Sequence, residues 1–270
     1  MEMINYMRAY LYYMKMRILT EFSYRFDVFA SIGSNIIILL TTVYIWKAAY
    51  HNSAGSVNGV TETDMVTYTI ISIILSIFFT NSIQDTLNDR IREGNIAIDF
   101  LRPIHLLISY FADEIGRSIS ALLTKGIAMF IISSLVFHLP LPKGFLSFVL
   151  FAISCALSFT ILWLLSAIVG VFAFWVVELG NMGMVKDAIV LFLSGSFVPI
   201  WFYPKEFQYF SQFLPFQYTF QTPLSIYIGK LSINDAWHSI IIQIIWILIF
   251  GWILIKLWKK AQSKTFVQGG

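Results

Sequence analysis

Long apolar runs separated by short polar stretches dominate the hydropathy pattern of this 270-residue chain. Six of them approach or exceed the ~20 residues that a helix needs to cross a bilayer at about 1.5 Å per residue. The predicted spans are residues 28–47, 65–81, 118–138, 145–171, 186–202 and 237–258. Because the runs are continuously apolar rather than alternating, they favour helices over the strands of a membrane β-barrel. The pattern predicts one all-α, polytopic membrane domain over residues 1–270.

Two of the six spans are irregular. The apolar run 145–177 has 33 residues, so it must tilt strongly, extend beyond the bilayer or break near Gly170. The fifth span is short and is interrupted by Ser194, Gly195, Ser196 and Pro199. Irregular backbone at membrane depth is tolerated only where protein or a water-filled cavity satisfies its polar groups. The interruption indicates either a transport pathway or a purely structural kink.

The N-terminal stretch, residues 1–26, has a different pattern. Its apolar positions recur at helical spacing, at Met7, Leu11, Met14 and Ile18. Its charged positions are Arg8, Lys15, Arg17 and Glu21. One apolar face beside charged positions predicts an amphipathic helix lying in the inner membrane interface. The alternative is a simple extension of the first span.

The distribution of Lys and Arg predicts how the chain is oriented in the membrane. Mean hydropathy is +0.75 and charged residues make up 12%. With the N-terminus inside, 13 Lys and Arg residues fall on inner segments and four on outer ones, and Lys125 within span three completes the 18. Since Lys and Arg are enriched on the cytoplasmic side, both termini are predicted in the cytoplasm. Lys125 is expected to extend towards the inner interface. The chain has no dense basic face for nucleic acid.

Motifs of catalysis are missing from the sequence. It has no Walker A loop, H-E-x-x-H or G-x-S-x-G, and its four histidines are isolated. The single cysteine, Cys155, lies in an apolar run and is expected to pack as a small hydrophobe. Any chemistry or energy that this protein uses is therefore expected from a partner, and no cofactor is predicted in the chain.

The cytoplasmic link 83–117 is the longest polar stretch. Ile83, Leu87 and Ile91 continue a helical stripe, which Gly94 would stop in the left-handed conformation and Asn95 would follow as a new cap. The result would be a short apolar and acidic helix below the membrane. It would dock into a groove on a soluble partner, or pack against the protein's own N-terminal helix. The candidate coupling residues are Arg90, Arg92, Glu93, Gly94, Ile96, Asp99, Phe100, Leu101, Arg102 and Pro103.

The outer segment is intensely aromatic and is divided by four prolines between Gly195 and Gly229. We expect a pair of short helices over 203–235 that dip back into the outer leaflet. Such a re-entrant segment would close a hydrophobic pathway from outside, or serve only as an aromatic anchor belt. The candidate gate residues are Pro199, Phe202, Pro204, Phe213, Pro215 and Phe216.

Taken together, these features resemble the permease subunit of bacterial ABC-2 type exporters, similar to the membrane components of daunorubicin-resistance-like systems. The resemblance rests on the N-terminal helix, the six spans, the R-x-R-E-G-N-I-A-I-D-F-L-R-P segment at 90–103 and the S-G-S-F-V-P-I…P…L-P-F…P…G pattern at 194–229. It implies a dimer of two permeases, identical or sister subunits, in the bacterial cytoplasmic membrane. Each would dock on a cytoplasmic ATPase, which binds the ATP and Mg²⁺, through a coupling helix within 90–103.

The sequence also bears on the cargo and on two alternative functions. The aromatic outer segment favours a hydrophobic or amphipathic cargo over a large glycan. A secondary transporter would be expected to show repeated halves and a mid-membrane ionisable site, and neither is visible. An integral-membrane enzyme acting on lipids would have to rely on Glu178, Lys186 and Asp187, which form no recognised motif.

Overall fold

The computed structural model describes residues 2–22, 25–51, 55–101, 104–142, 144–176 and 179–268. These residues are mainly helical, as predicted. The α-helices are α1 (Glu2–Glu21), α2 (Arg25–Tyr50), α3 (Glu62–Phe78), α4 (Ile83–Arg92), α5 (Ile96–Asp99), α6 (Leu106–Ala121), α7 (Ile127–Phe137), α8 (Phe145–Val171), α9 (Met182–Leu193), α10 (Lys205–Ser211), α11 (Gln221–Tyr227) and α12 (Ile233–Gln268). A π-helix (Leu122–Gly126) joins α6 to α7, and 3₁₀ turns occupy Phe172–Phe174, Ile200–Phe202 and Phe216–Tyr218.

Five helical stretches in the described part of the chain are long and apolar enough to cross a membrane. They are Phe26–Tyr50, Glu62–Arg92, Leu106–Phe137, Phe145–Phe174 and Ile233–Ser263. The predicted fifth span, 186–202, is not a single helix, because α9 ends at Leu193 after 12 residues. At about 1.5 Å per residue α9 covers only about 18 Å of a ~30 Å hydrocarbon core. The interruption predicted at Ser194 and Gly195 is therefore present.

The second of these stretches, Glu62–Arg92, contains a break between two α-helices. Helix α3 ends at Phe78 and α4 begins at Ile83. The buried carboxylate of Glu114 on α6 holds this junction, since it accepts hydrogen bonds from the Ser82 amide (3.2 Å) and hydroxyl (2.8 Å). The stripe predicted to continue as one helix therefore belongs to α4, where Ile83 and Leu87 are buried.

The α-helix of this long apolar run ends at Val171, one residue beyond Gly170, and a 3₁₀ turn follows to Phe174. Helix α8 has 27 residues and spans about 40 Å, so it must also tilt or extend beyond the bilayer. Gly170 lies where α4 packs against α8. A Cβ there would come within 2.9 Å of Leu87 Cδ1 and 3.0 Å of the Gln84 Cα. The glycine is thus a packing residue that brings two helices into close contact.

The N-terminal helix α1 packs along α6. The closest approach is at Gly116, where a Cβ would lie 2.5 Å from the Met14 carbonyl oxygen. Arg17 joins the two helices, with its guanidinium 3.0 Å from Glu21 and 3.8 Å from Asp113. Met14 is half-buried, whereas Met7 is exposed. The predicted helix is present, and half of its apolar stripe faces solvent or lipid rather than protein.

One small β-hairpin, absent from the sequence prediction, precedes α3. Ser56–Val57 (β1) pairs antiparallel with Val60–Thr61 (β2). Its turn residues, Asn58 and Gly59, both have positive φ, as a type I′ turn requires. Asn-Gly is the strongest short signal for such a turn, so the hairpin was readable from the sequence.

We predict that Gly116→Ala weakens the packing of α1 on α6. The added methyl group meets the Met14 backbone, which cannot rotate away, and overpacking of this kind typically costs about 1–3 kcal/mol. The measurement is the thermal unfolding midpoint in detergent, together with protease sensitivity of α1. Gly251→Ala on α12 is the matched control, because a Cβ there meets nothing within 4 Å. Equal midpoints for the two variants would contradict the prediction.

Candidate coupling and gating sites

The predicted coupling segment consists of α4, a glycine turn and α5. Gly94 has a φ of +75°, the left-handed conformation expected of it, and its amide donates to the Ile91 carbonyl at 3.1 Å. Asn95 occupies the cap position of α5 but makes no capping bond. Its side-chain amide donates instead to Glu93 Oε2 at 2.9 Å. The turn was predicted correctly, whereas the capping role of Asn95 was wrong.

One face of the coupling segment is anchored inside the protein. Asp99 is only 2% exposed and lies 3.6 Å from Arg90 Nε on α4, with the Tyr110 hydroxyl of α6 donating at 3.3 Å. Phe100 packs edge-to-face on Trp258 of α12, with ring centroids 5.6 Å apart. These contacts tie α5 to three other helices of its own chain.

The opposite face is exposed and apolar. Ile98 is 61% exposed and Leu101 is 82% exposed. Arg92, Glu93 and Gly94 are exposed beside them. The predicted coupling residues therefore divide between a buried anchor, formed by Ile96, Asp99 and Phe100, and an exposed surface. Arg102 and Pro103 lie outside the described residues.

Ile98 was missed as a candidate site residue. Its spacing from Leu101 is i, i+3, which places both on one side of a helix, whereas Ile96 and Phe100 share the other side at i, i+4. The sequence therefore held the signal. We define the coupling surface as Ile98 and Leu101, and the coupling anchor as Ile96, Asp99 and Phe100.

The broken fifth span is held by polar side chains of α3. The Tyr68 hydroxyl lies 2.7 Å from the Gly195 carbonyl oxygen and 2.8 Å from Gln221 Oε1. One turn further along α3, the Ser72 hydroxyl donates to the Ser196 carbonyl at 2.8 Å. Two carbonyls left without helix partners by the interruption are thus satisfied by a neighbouring helix.

Gln221, at the start of α11, completes this network from the other side. Its backbone amide donates to the Ser194 carbonyl at 2.9 Å, and its side-chain oxygen accepts from the Ile200 amide at 3.1 Å. Gly195 is required here for two reasons. Its φ is +80°, and a Cβ would clash with Gln221 Oε1. We call Tyr68, Ser72, Gly195 and Gln221 the break network.

The predicted gate residues do not form one cluster. Pro199 and Pro215 are buried, Phe202 and Phe216 are half-buried, and Pro204 and Phe213 are exposed. Phe202 stacks on Trp46 of α2 with centroids 5.2 Å apart. Phe213 packs instead on Tyr209, with centroids 5.4 Å apart. Among the described residues, the rings of Phe202, Phe213 and Phe216 make no contact with one another.

The outer segment contains two seven-residue helices, α10 and α11, of which α11 is buried against α8 and α3. A cavity of about 560 Å³ lies beside them, lined in part by the four glutamines Gln208, Gln212, Gln217 and Gln221. The segment thus encloses uncharged polar groups rather than only aromatic ones.

The β-hairpin is hydrogen-bonded to residues on both sides of α10 and α11. The Asn58 side chain donates to the Trp201 carbonyl at 2.8 Å, and the Lys230 ammonium donates to the Asn58 carbonyl at 2.8 Å. The same ammonium lies 4.9 Å from the centre of the Trp201 ring. Partial burial lowers the pKa of Lys230, while the nearby Asp64 charge acts in the opposite direction. The hairpin therefore joins the start of α3 to both ends of the outer segment.

The residues considered for a lipid-acting enzyme do not form a catalytic constellation. The Lys186 ammonium donates to the Ser166 hydroxyl at 2.7 Å and pairs with the adjacent Asp187 at 2.8 Å. Glu178 lies outside the described residues. The Lys186–Asp187 pair borders a cavity of about 300 Å³ that also touches Asn81 and Ser196, so this pair lies beside the broken span.

The family model described as ABC-2 family transporter protein matches residues 36–269 of the chain. This region contains the coupling segment, the broken span and the outer segment. A comparison with curated proteins found no match.

We predict that Tyr68→Phe destabilises the break network. Loss of the hydroxyl leaves the Gly195 carbonyl with no donor in a buried site, which typically costs about 1–3 kcal/mol. The measurement is the denaturation midpoint in detergent. Tyr44→Phe is the matched control, because Tyr44 is exposed on α2 and a surface change of this kind typically costs under about 0.5 kcal/mol. Equal losses from the two variants would show that the network contributes no stability.

Proposed function

The chain belongs to the ABC-2 family of transporter proteins, and we propose that it is the permease subunit of an ATP-driven exporter. The observation that carries this proposal is the family match over residues 36–269, which includes most of the five helices that are long and apolar enough to cross a membrane in the described part of the chain. The division of the coupling segment into an anchored face and an exposed face supports it. ATP and Mg²⁺ would be bound by a separate cytoplasmic ATPase, and this chain would bind no cofactor.

We propose six crossings of the bacterial cytoplasmic membrane, with both termini in the cytoplasm. The five long helices supply five crossings, and α9 with the following segment to Phe202 supplies the sixth. The excess of Lys and Arg on the inner segments supports this orientation. In this topology α1 and the coupling segment lie at the inner face, and the hairpin and α10 lie at the outer face.

The coupling surface is the proposed ATPase docking site. Two large apolar side chains, Ile98 and Leu101, project from a short helix whose other side is fixed to α4, α6 and α12. Exposed Arg92 and partly exposed Arg90 would steer the acidic edge of the ATPase. Closure of the ATPase dimer would move the anchored segment as a rigid body.

The proposed cargo is hydrophobic or amphipathic, and it would move along the broken span. Irregular backbone between Ser194 and Pro199 lies between a cavity that touches Lys186 and a glutamine-lined outer cavity. A second permease, identical or a sister subunit, would complete the pathway. A secondary transporter or a lipid-acting enzyme is the alternative, and no observation in the described residues favours either.

The test is purification of the tagged protein from its native operon in mild detergent. A soluble ATPase present in stoichiometric amount, with nucleotide hydrolysis by the complex, is the expected result. A second permease band would identify a heterodimer. Purification of this chain alone, with no hydrolysis, would contradict the exporter proposal.

We predict that Ile98→Ser and Leu101→Ser, combined, reduce the ATPase recovered with the permease at least tenfold. Both side chains are exposed, so their loss removes docking surface and leaves the permease fold intact. The measurement is the ratio of ATPase to permease after purification. Leu135→Ser is the control, because Leu135 is an equally exposed apolar residue on α7, away from the coupling segment. An unchanged ratio in the double variant would exclude this surface.

We predict a different result for the anchor. Phe100→Ala removes the contact with Trp258, and Asp99→Asn removes the charge that faces Arg90. Each variant should insert and retain the ATPase, because Ile98 and Leu101 are intact, but hydrolysis should no longer drive transport. The measurements are ATPase activity and cargo transport by the same reconstituted complex. Coupling equal to wild type in both variants would refute an anchoring role.

A further inference from the structure

A cavity of about 420 Å³ opens between α2, α3 and the π-helix that joins α6 to α7. Its lining is unusually charged for a chain with 12% charged residues. It includes Lys125, Arg117, Glu21, Ser31, Asn35 and Thr80. This cavity belongs neither to the coupling surface nor to the break network.

In the proposed topology Lys125 lies inside the hydrocarbon region. It precedes the last residue of α7, Phe137, by 12 positions, which is about 18 Å of helix. In a ~30 Å core with Phe137 at the outer boundary, Lys125 therefore lies about 12 Å from the inner boundary. A lysine side chain spans only about half of that distance, so extension alone does not bring the ammonium into water. The π-helix places Lys125 on the cavity, and such local widening of a helix is frequent at functional sites.

The charge of Lys125 is uncompensated among the described residues. The Glu21 carboxylate on the cavity wall already lies 3.0 Å from the Arg17 guanidinium. Glu114 lies 3.7 Å from Arg117 Nε and accepts both hydrogen bonds from Ser82. No carboxylate of the described residues lies within 4 Å of the Lys125 ammonium. An unpaired cation at this depth is costly, and a bound anion would remove that cost.

Donors beside Lys125 suit an oxyanion. Arg117 lies eight residues earlier on α6, about 12 Å along the helix towards the inner face, so two long cationic side chains border the cavity from its two ends. The Nε of Arg117 makes no hydrogen bond, although it lies 3.7 Å from the Glu114 carboxylate. Ser31 adds a hydroxyl on the α2 side. The hydroxyl of Thr80 is not available, because it donates to the Ser76 carbonyl at 3.0 Å.

We propose that this cavity binds the phosphate of an anionic head group, with Lys125 supplying the charge and Arg117 and Ser31 supplying further donors. The ligand is either a phospholipid of the inner leaflet or free inorganic phosphate, which share this chemistry. A membrane phospholipid would enter sideways between α2 and the π-helix. The site rests on the proposed membrane topology but not on the ATPase, so the test below can fail without contradicting the proposed coupling to an ATPase.

The test uses the purified full-length chain in neutral detergent micelles, without the ATPase. Its thermal midpoint is followed during titration with phosphatidylglycerol, with phosphatidylcholine, or with inorganic phosphate. A ligand that binds only the folded state raises the midpoint. We expect phosphatidylglycerol to stabilise the wild type more than phosphatidylcholine, and Lys125→Gln to raise the half-maximal phosphatidylglycerol concentration at least tenfold. Lys125→Arg should retain the wild-type response.

Two controls distinguish loss of the binding site from a general effect of removing a lysine. Lys47→Gln removes the same charge from the opposite end of α2 and should respond as wild type. In phosphatidylcholine alone, Lys125→Gln should be at least as stable as wild type, because it removes an unpaired charge. If inorganic phosphate raises the thermal midpoint as much as phosphatidylglycerol does, and Lys125→Gln abolishes this rise, the ligand is the free anion. An undiminished phosphatidylglycerol response in Lys125→Gln, or destabilisation of that variant in phosphatidylcholine, overturns the proposal.

Discussion

Backbone polar groups cannot be left unpaired inside a membrane, and this constraint shapes the centre of the protein. The predicted fifth span is interrupted between Ser194 and Pro199, which leaves several carbonyls without helix partners. Three of these carbonyls accept hydrogen bonds, two from the Tyr68 and Ser72 hydroxyls of α3 and one from the backbone amide of Gln221. The position of α11 follows from this requirement, because Gln221 must be close enough for both its amide and its side chain to reach the interruption.

The same constraint explains why polar residues recur at buried positions of an apolar chain. The Gln243 side-chain amide on α12, which is fully buried, lies within 3.2 Å of the Ser154 and Tyr218 carbonyls and the Ser158 hydroxyl. Glu114 fixes the interruption between α3 and α4 in a similar way. These two segments, the turn at Tyr218 and the junction between α3 and α4, are thus joined to a long helix by a polar side chain. Apolar packing alone would not fix where these segments lie, since lipid tails are as apolar as leucine.

Sequence reasoning predicted the long helices, the interruption at Gly195 and the left-handed turn at Gly94. Those features depend on local signals: hydrophobic length, glycine and proline. The failures involved contacts between distant residues. The sequence did not reveal that Gly170 is a packing site for Leu87, and Asn95 resembled a cap but its side chain bonds to Glu93. The division of the coupling segment into a buried and an exposed face could be predicted only in part. That Ile98 and Leu101 share one face follows from helical spacing. The burial of Asp99 does not, because it depends on contacts with Arg90 and Tyr110.

Close packing also determines how a movement at the inner face would be distributed. The coupling anchor connects α5 to α4 through Asp99 and Arg90, and to α12 through Phe100 and Trp258. Helix α4 packs against α8 at Gly170 so closely that a methyl group would not fit between them. The two helices therefore cannot slide past each other without a steric clash. Helix α8 in turn packs along α11, which begins with Gln221. A displacement of α5 therefore meets a continuous series of tight contacts that ends at the interrupted span, whereas the outer helix α10, with exposed Tyr209 and Phe210, lies outside that series.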